Sequence, residues 1–196
     1  MRSAQISRKT NETDIALTLC LEGSGKASID TGIGFLNHML TLFACHSGFD
    51  LQLTCKGDID VDFHHSAEDI GICLGKALDT ALGDRAGITR YGSVFVPMDE
   101  ALVLAAIDIC GRATLGYALE IPSQKIGDFD TELIKEFFTA LTRELKAAVH
   151  LREFCGENSH HIAEAAFKAF ARAMAIAVKI DPAKRDQIPS SKGTII

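Results

Sequence analysis

The 196-residue sequence predicts an α+β fold built by duplication. Two half-domains, residues 1–92 and 93–196, each run strands, helix, strand, helix, and sheets pack against helices in one compact domain. Three observations carry this expectation. His64-His65-Ser66-Ala67-Glu68 recurs as His160-His161-Ile162-Ala163-Glu164, about half a chain later. Apolar residues follow each copy at helical spacing: Ile70, Cys73, Leu74, Ala77, Leu78 and Ala81, then Ala166, Ala169, Phe170, Ala173, Met174 and Ala177. Upstream, Phe35-Leu36-Asn37-His38-Met39-Leu40-Thr41 resembles Leu133-Ile134-Lys135-Glu136-Phe137-Phe138-Thr139 at nearly the same separation.

The elements follow in order. Met1 to Thr13 is polar and lacks the apolar core of a signal peptide. Ala16–Leu21 reads as a strand, the segment around Phe35 as a short helix, and Asp50–Cys55 as a second strand. An amphipathic helix of about five turns opens at His64. Gly87 to Gly92 is the expected seam. The second half repeats the order with strands Leu102–Asp108 and Thr114–Leu119, a short helix from Leu133, a strand at Ala147–Glu153 and a long helix from His160. That helix is expected to stop near Asp181-Pro182, because proline disfavours continuation. Asp181 to Ile196 reads as a polar surface tail.

Composition narrows the function. With 47% apolar and 23% charged residues the chain is globular, and a net charge of −6 argues against a broad nucleic-acid surface. It has no Trp and two Tyr, too few for an aromatic platform that stacks single strands. No stretch approaches the roughly 18 apolar residues of a membrane span. The expectation is a cytoplasmic protein with neither nucleic acid nor membrane as partner. The cysteines at 20, 45, 55, 73, 110 and 155 never form CxxC and sit among apolar neighbours, so buried reduced thiols are expected.

The repeated HHxAE motif points to metal. His and Glu four apart on a helix share a face, which pairs His64 with Glu68 and His160 with Glu164. The adjacent His65 and His161 point about 100° away and serve a different ion. A pseudo-symmetric arrangement uses every ligand. One ion takes His160, Glu164, His65 and His38, and its mate takes His64, Glu68, His161 and Glu136. Imidazole and carboxylate without thiolate suit Mn²⁺, Fe²⁺, Co²⁺ or Zn²⁺, and an ion with room for further ligands favours Mn²⁺. His150, inside an apolar strand, reads as structural, and His46 lies just after the His38 helix. The residues alone leave open a dinuclear metal hydrolase and a metal-binding oligomer without turnover.

At this point the sequence resembles the imidazoleglycerol-phosphate dehydratase family of histidine biosynthesis. The resemblance rests on Arg8-Lys9-Thr10-Asn11-Glu12-Thr13, Gly34-Phe35-Leu36-Asn37-His38, Asp62-Phe63-His64-His65-Ser66-Ala67-Glu68-Asp69, Pro97-Met98-Asp99-Glu100-Ala101, Gly156-Glu157-Asn158-Ser159-His160-His161 and Pro189-Ser190-Ser191-Lys192-Gly193. It implies a duplicated α+β fold, a homo-oligomer of 24 subunits, two Mn²⁺ per active site at subunit contacts, and the ligand split above. It implies conversion of imidazole glycerol phosphate, a small phosphate substrate, to imidazole acetol phosphate and water. It implies Glu12 as the acid/base. For substrate binding it implies Glu12, His38, His46, Arg90, Arg112, Lys168, Ser190, Ser191 and Lys192. Asn37 stands where many members carry Asp, which implies weaker support for His38.

Overall fold

In the computed structural model, whose described residues are 1–195, the first half runs β1 (Ser3–Lys9), β2 (Thr13–Cys20), β3 (Ala27–Asp30), α1 (Gly34–Ser47), β4 (Asp50–Gly57) and α2 (His64–Leu82). The second half runs β5 (Tyr91–Met98), β6 (Ala101–Asp108), β7 (Thr114–Ala118), β8 (Lys125–Ile126), β9 (Phe129–Asp130), α3 (Glu132–Leu145), β10 (Ala148–Cys155) and α4 (Ser159–Ala177). The fold is α+β, as the sequence predicts. The sheets are ordered β1-β2-β4-β3 and β5-β6-β10-β7, the same order strand for strand. In each, the third strand runs parallel to the fourth and the other pairs are antiparallel.

Register matches as well as order. Ser3 faces Cys20 as Tyr91 faces Asp108, and Cys20 faces Asp50 as Asp108 faces Ala148. Counting along the matched hairpins makes Glu12, in the β1–β2 turn, the counterpart of Glu100 in the β5–β6 turn. The β8–β9 hairpin has no partner in the first half. Its Phe129 packs against Phe35 and Phe63, with ring centroids 5.0 and 6.5 Å away, and so braces the residue before α2 and the start of α1.

Each sheet carries its own two helices on one face, and the helices meet crosswise between the sheets, α2 on α3 and α1 on α4. The long helices are therefore interior, covered on more faces than the single apolar face of the expected amphipathic helices. Ala163, Ala165, Ala166, Ala169, Ala171, Ala173 and Ala177 are all buried, so several faces of α4 are covered. Two glycines set the α2–α3 distance. A Cβ on Gly71 would lie 2.5 Å from the Phe137 carbonyl oxygen, and one on Gly75 would lie 2.4 Å from that of Leu141. Phe137, Phe138, Phe167 and Phe170 fill the centre, with neighbouring ring centroids 4.9–5.4 Å apart.

Several local expectations change. The polar N-terminus forms β1, an edge strand whose inward positions are Ala4 and the half-buried Ile6, too few to show alternation in sequence. Helix α4 ends at Ala177, before the proline; Pro182–Lys184 forms a separate 3-10 turn. The tail beyond it is tied down: Gly87 N–H donates to Gln187 O at 2.9 Å, and Arg90 Nη1 to Pro189 O at 2.9 Å. Cys55, Cys73 and Cys110 are buried, but Cys45 and Cys155 are exposed and Cys20 is half-buried; all six are unpaired thiols.

Candidate metal centre and anion cleft

The N-terminus of α4 is the best-organised corner of the molecule. Asn158 caps it, its side-chain oxygen accepting from His160 N at 2.9 Å and His161 N at 3.3 Å. One turn on, Glu164 Oε2 lies 3.1 Å from His160 Nε2. The α1–α4 crossing brings in His38 from the other half, with Nε2 at 3.2 Å from the same oxygen. Lys168, one turn further, pairs with the other Glu164 oxygen. Burial would raise the Glu164 carboxyl, but Lys168, His38 and His160 overcome it and hold it at about 2. Phe35 presents its ring edge-on to His160 at 5.5 Å. Among the described residues, His38, His160 and Glu164 form the one group of three such side chains with ligand atoms mutually within 4.8 Å. Two imidazoles and a carboxylate converging there fit a divalent transition metal.

The counterpart at α2 is looser. Asp62 Oδ1 accepts from His64 N at 2.7 Å, in the place of the Asn158 cap. His64 Nε2 stands 3.9 Å from Glu68 Oε2, and Arg143 Nη2 lies 3.8 Å from the other Glu68 oxygen. Glu136 sits half-buried on α3, the helix that crosses α2, but does not close a three-ligand group with them.

His65 and His161 stand outside the cluster of three, so neither expected set of four ligands assembles within one chain. Each is held by its Nδ1. His65 Nδ1 is 3.0 and 3.2 Å from the two Asp58 oxygens, and His161 Nδ1 is 2.7 Å from Glu100 Oε2. That bond from His161, with backbone N–H groups, holds the Glu100 carboxyl down at about 2. Glu12 Oε1 is 3.7 Å from His65 Nε2, with its side chain about half exposed. Asp58 carries no signal in the sequence, and Glu100 stands there only within a family-like segment, with no role attached. The counterpart positions of the two hairpin turns become visible only through strand register.

The remaining expected substrate groups divide in two. Arg90, Arg112, Ser190, Ser191 and Lys192 line one cleft of about 480 Å³. Arg90 is largely engaged there. Its Nε and Nη2 donate to Asp108 at 2.7 and 3.2 Å, and its Nη1 to Pro189 O, so it also fixes the tail. Arg112 is exposed. Lys168 and His46 lie apart from this cleft, on the Glu164 side; burial, then Lys168 and Arg172, push the His46 imidazole below its usual range. His150 packs over Gly116 in the β10–β7 pairing, where a Cβ on residue 116 would come within 2.3 Å of its Nδ1. Asn37 does not support His38. Its Oδ1 accepts from Thr31 N at 2.9 Å and Thr31 Oγ1 at 2.6 Å, fixing the turn into α1.

A family profile described as imidazoleglycerol-phosphate dehydratase matches residues 31–174. The chain belongs to the imidazoleglycerol-phosphate dehydratase family. Relatives of that name from Microcystis aeruginosa and Xanthobacter autotrophicus are each 52% identical to it, over 99% and 100% of this chain and 93% and 99% of theirs. The crystal structure of imidazoleglycerol-phosphate dehydratase from Staphylococcus aureus superposes with a TM-score of 0.84 at 39% identity, covering 91% of this chain and 99% of that one. The Pyrococcus furiosus structure gives 0.83 at 38% identity, covering 96% and 99%. Membership makes the chain an enzyme, a dehydratase of histidine biosynthesis. No helix among the described residues is long and apolar enough to cross a membrane.

Proposed function

We propose that the protein is a metal-dependent, cytoplasmic dehydratase that converts imidazole glycerol phosphate to imidazole acetol phosphate and water. It uses two Mn²⁺ per active site, and each site is completed between copies of a homo-oligomer, 24 subunits by family likeness. One observation carries the shared site. His160 and Glu164 lie at the N-terminal end of α4, whereas Arg90 N donates to Ala177 O at 2.8 Å, at its C-terminal end. At 1.5 Å per residue, about 25 Å separates the two ends of that helix. That exceeds the length of a three-carbon phosphate bearing an imidazole. A substrate with its phosphate in the cleft and its ring at the histidines therefore touches two copies. The Nε2 atoms of His65 and His161 agree with this: each has only a carboxylate at 3.7 Å, Glu12 and Asp99 respectively, and makes no hydrogen bond among the described residues.

Bound ions supply Lewis-acid stabilisation of the negative charge that develops on the imidazole ring. His38, His160 and Glu164 would hold one ion and His64, Glu68 and Glu136 the other, with His65 and His161 contributed across the subunit contact. The protein's own groups do the rest. Arg112, Lys192 and the Ser190 and Ser191 hydroxyls hold the phosphate, over an Arg90 that Asp108 keeps in place. Glu12 stands beside His65 Nε2 and takes the proton from the side-chain carbon. The hydroxyl on the neighbouring carbon, next to the ring, leaves with that proton as water, and the resulting enol becomes the ketone as its hydroxyl proton is replaced by one on the ring-side carbon. The test is turnover of imidazole glycerol phosphate before and after chelation. Metal-stripped protein is expected to be inert and to recover with Mn²⁺; undiminished turnover after stripping overturns the reading.

A further inference from the structure

We propose that Glu100 is a positioning residue that selects the tautomer of His161, a role that its counterpart Glu12 lacks because Asp58 fills it on His65. The inference rests on the metal reading above and concerns one of the ligands assigned there.

A carboxylate can only accept hydrogen bonds, so the His161 Nδ1 found 2.7 Å from Glu100 Oε2 carries a proton. The neutral ring then keeps its lone pair on Nε2, the atom a metal needs; Asp99 Oδ2 faces that nitrogen at 3.7 Å, too far for the hydrogen bond that Glu100 makes to Nδ1. The other Glu100 oxygen is occupied too. Oε1 accepts from Asn158 N at 2.8 Å and from Glu157 N at 3.2 Å. Since Asn158 is the residue that caps α4, one carboxylate fixes both the helix start and the ring that projects from it.

The first half meets the same need differently. Asp58, just beyond β4, grips His65 Nδ1. Glu12, the residue in register with Glu100, is left on the Nε2 side of the ring at 3.7 Å, and its carboxylate makes no hydrogen bond among the described residues. Two equivalent glutamates of a duplicated fold thus have different duties. Glu100 is spent on orientation, and Glu12 stays available to move a proton.

The decisive variant is Glu100→Gln. To keep its bonds to the two backbone N–H donors, the amide oxygen must take the Oε1 place. The NH₂ group then faces His161 Nδ1 and donates to it, which drives the ring proton onto Nε2. The capped helix survives while the ligand atom is blocked. The readouts are histidine ¹⁵N shifts of the metal-free protein in weakly alkaline buffer, by solid-state NMR, and calorimetric Mn²⁺ titration. Wild type is expected to show His161 protonated on Nδ1 and the variant on Nε2. One Mn²⁺ site per chain should weaken about 10–100-fold and the other should stay unchanged. An unchanged tautomer in Glu100→Gln overturns the proposal whatever the affinity. Should the variant not fold, a wild-type His161 lacking a proton on Nδ1 does the same. Wild type that binds no Mn²⁺ instead sinks the metal reading, and the tautomer data still judge Glu100 separately.

Discussion

Replacing Gly71 with alanine tests how the α2–α3 crossing builds the second metal site. In a helix interior, Gly→Ala ordinarily stabilises by about 1 kcal/mol, because alanine loses less backbone freedom on folding. Here the added Cβ would sit 2.5 Å from the Phe137 carbonyl oxygen and 3.3 Å from Leu141 N. These are backbone atoms of α3, so no side-chain rotation relieves the clash, and the helix must retreat by roughly half an ångström or more. Overpacking of this kind costs about 1–3 kcal/mol, and a backbone obstacle places it towards the upper end. The net expectation is a loss of about 1–2 kcal/mol, or roughly 2–8 °C in Tm for a chain of this length. Because α3 carries Glu136, the same shift should weaken Mn²⁺ at the His64–Glu68 site and spare the His38–His160–Glu164 site. Melting curves of metal-free protein and a Mn²⁺ titration read both effects. A Tm that rises by the propensity gain would refute the packing argument.

Three further outcomes are expected. Glu12→Gln should bind both Mn²⁺ ions and substrate yet lose about 10²–10⁴-fold in kcat, as removal of an acid/base does; retention of more than about a tenth of kcat removes Glu12 from the chemistry. Glu136→Ala should lose about one Mn²⁺ per chain at stoichiometric loading, whereas His150→Ala, packed over Gly116 in its sheet, should keep both; equal metal content in Glu136→Ala and wild type rejects that ligand. Alkylation of native protein at pH 8 should label Cys45 and Cys155 and leave Cys73 unlabelled, because burial pushes that thiol up to about 11 and leaves it protonated. The sign for stability follows: the unfolded thiol ionises first, so the Cys73 contribution is lost as pH rises from its ordinary value through about 11. Rapid Cys73 labelling at pH 8 contradicts its burial.

The duplication was legible because the ligands themselves repeat. HHxAE and the upstream helices locate α1 to α4 and the strands β4 and β10, and they pair His38 with Glu136 as equivalents. What escaped was carried by register and not by residue type. β1 shows no strand pattern in the sequence because an edge strand here needs only Ala4 and Ile6 as inward apolar positions. Glu100 belongs to a family-like segment but has no role until the matched hairpins align it with Glu12. Helical spacing made α2 and α4 look amphipathic, because polar positions such as Lys76 and Arg172 mark the few spots left uncovered where two other layers press on each helix. The ligand sets were drawn from symmetry, and a single chain brings together only three residues of one of them, since chain continuity says nothing about which copy supplies His65.

Complementation between two disabled variants tests the shared site most directly. Glu164→Ala damages the histidine end of α4, and Arg112→Glu repels phosphate from the cleft near its other end. Each alone should be inactive. The two proteins are stripped of metal, mixed in equal amounts and reassembled with Mn²⁺. Some sites then draw an intact cleft from one copy and intact metal ligands from the other, and activity should return to about a quarter of wild type for random closed assembly. If wild type carried through the same treatment recovers and the mixture stays as inactive as its components, the cleft and the metal ligands of one site do not come from different copies, and the shared site is refuted.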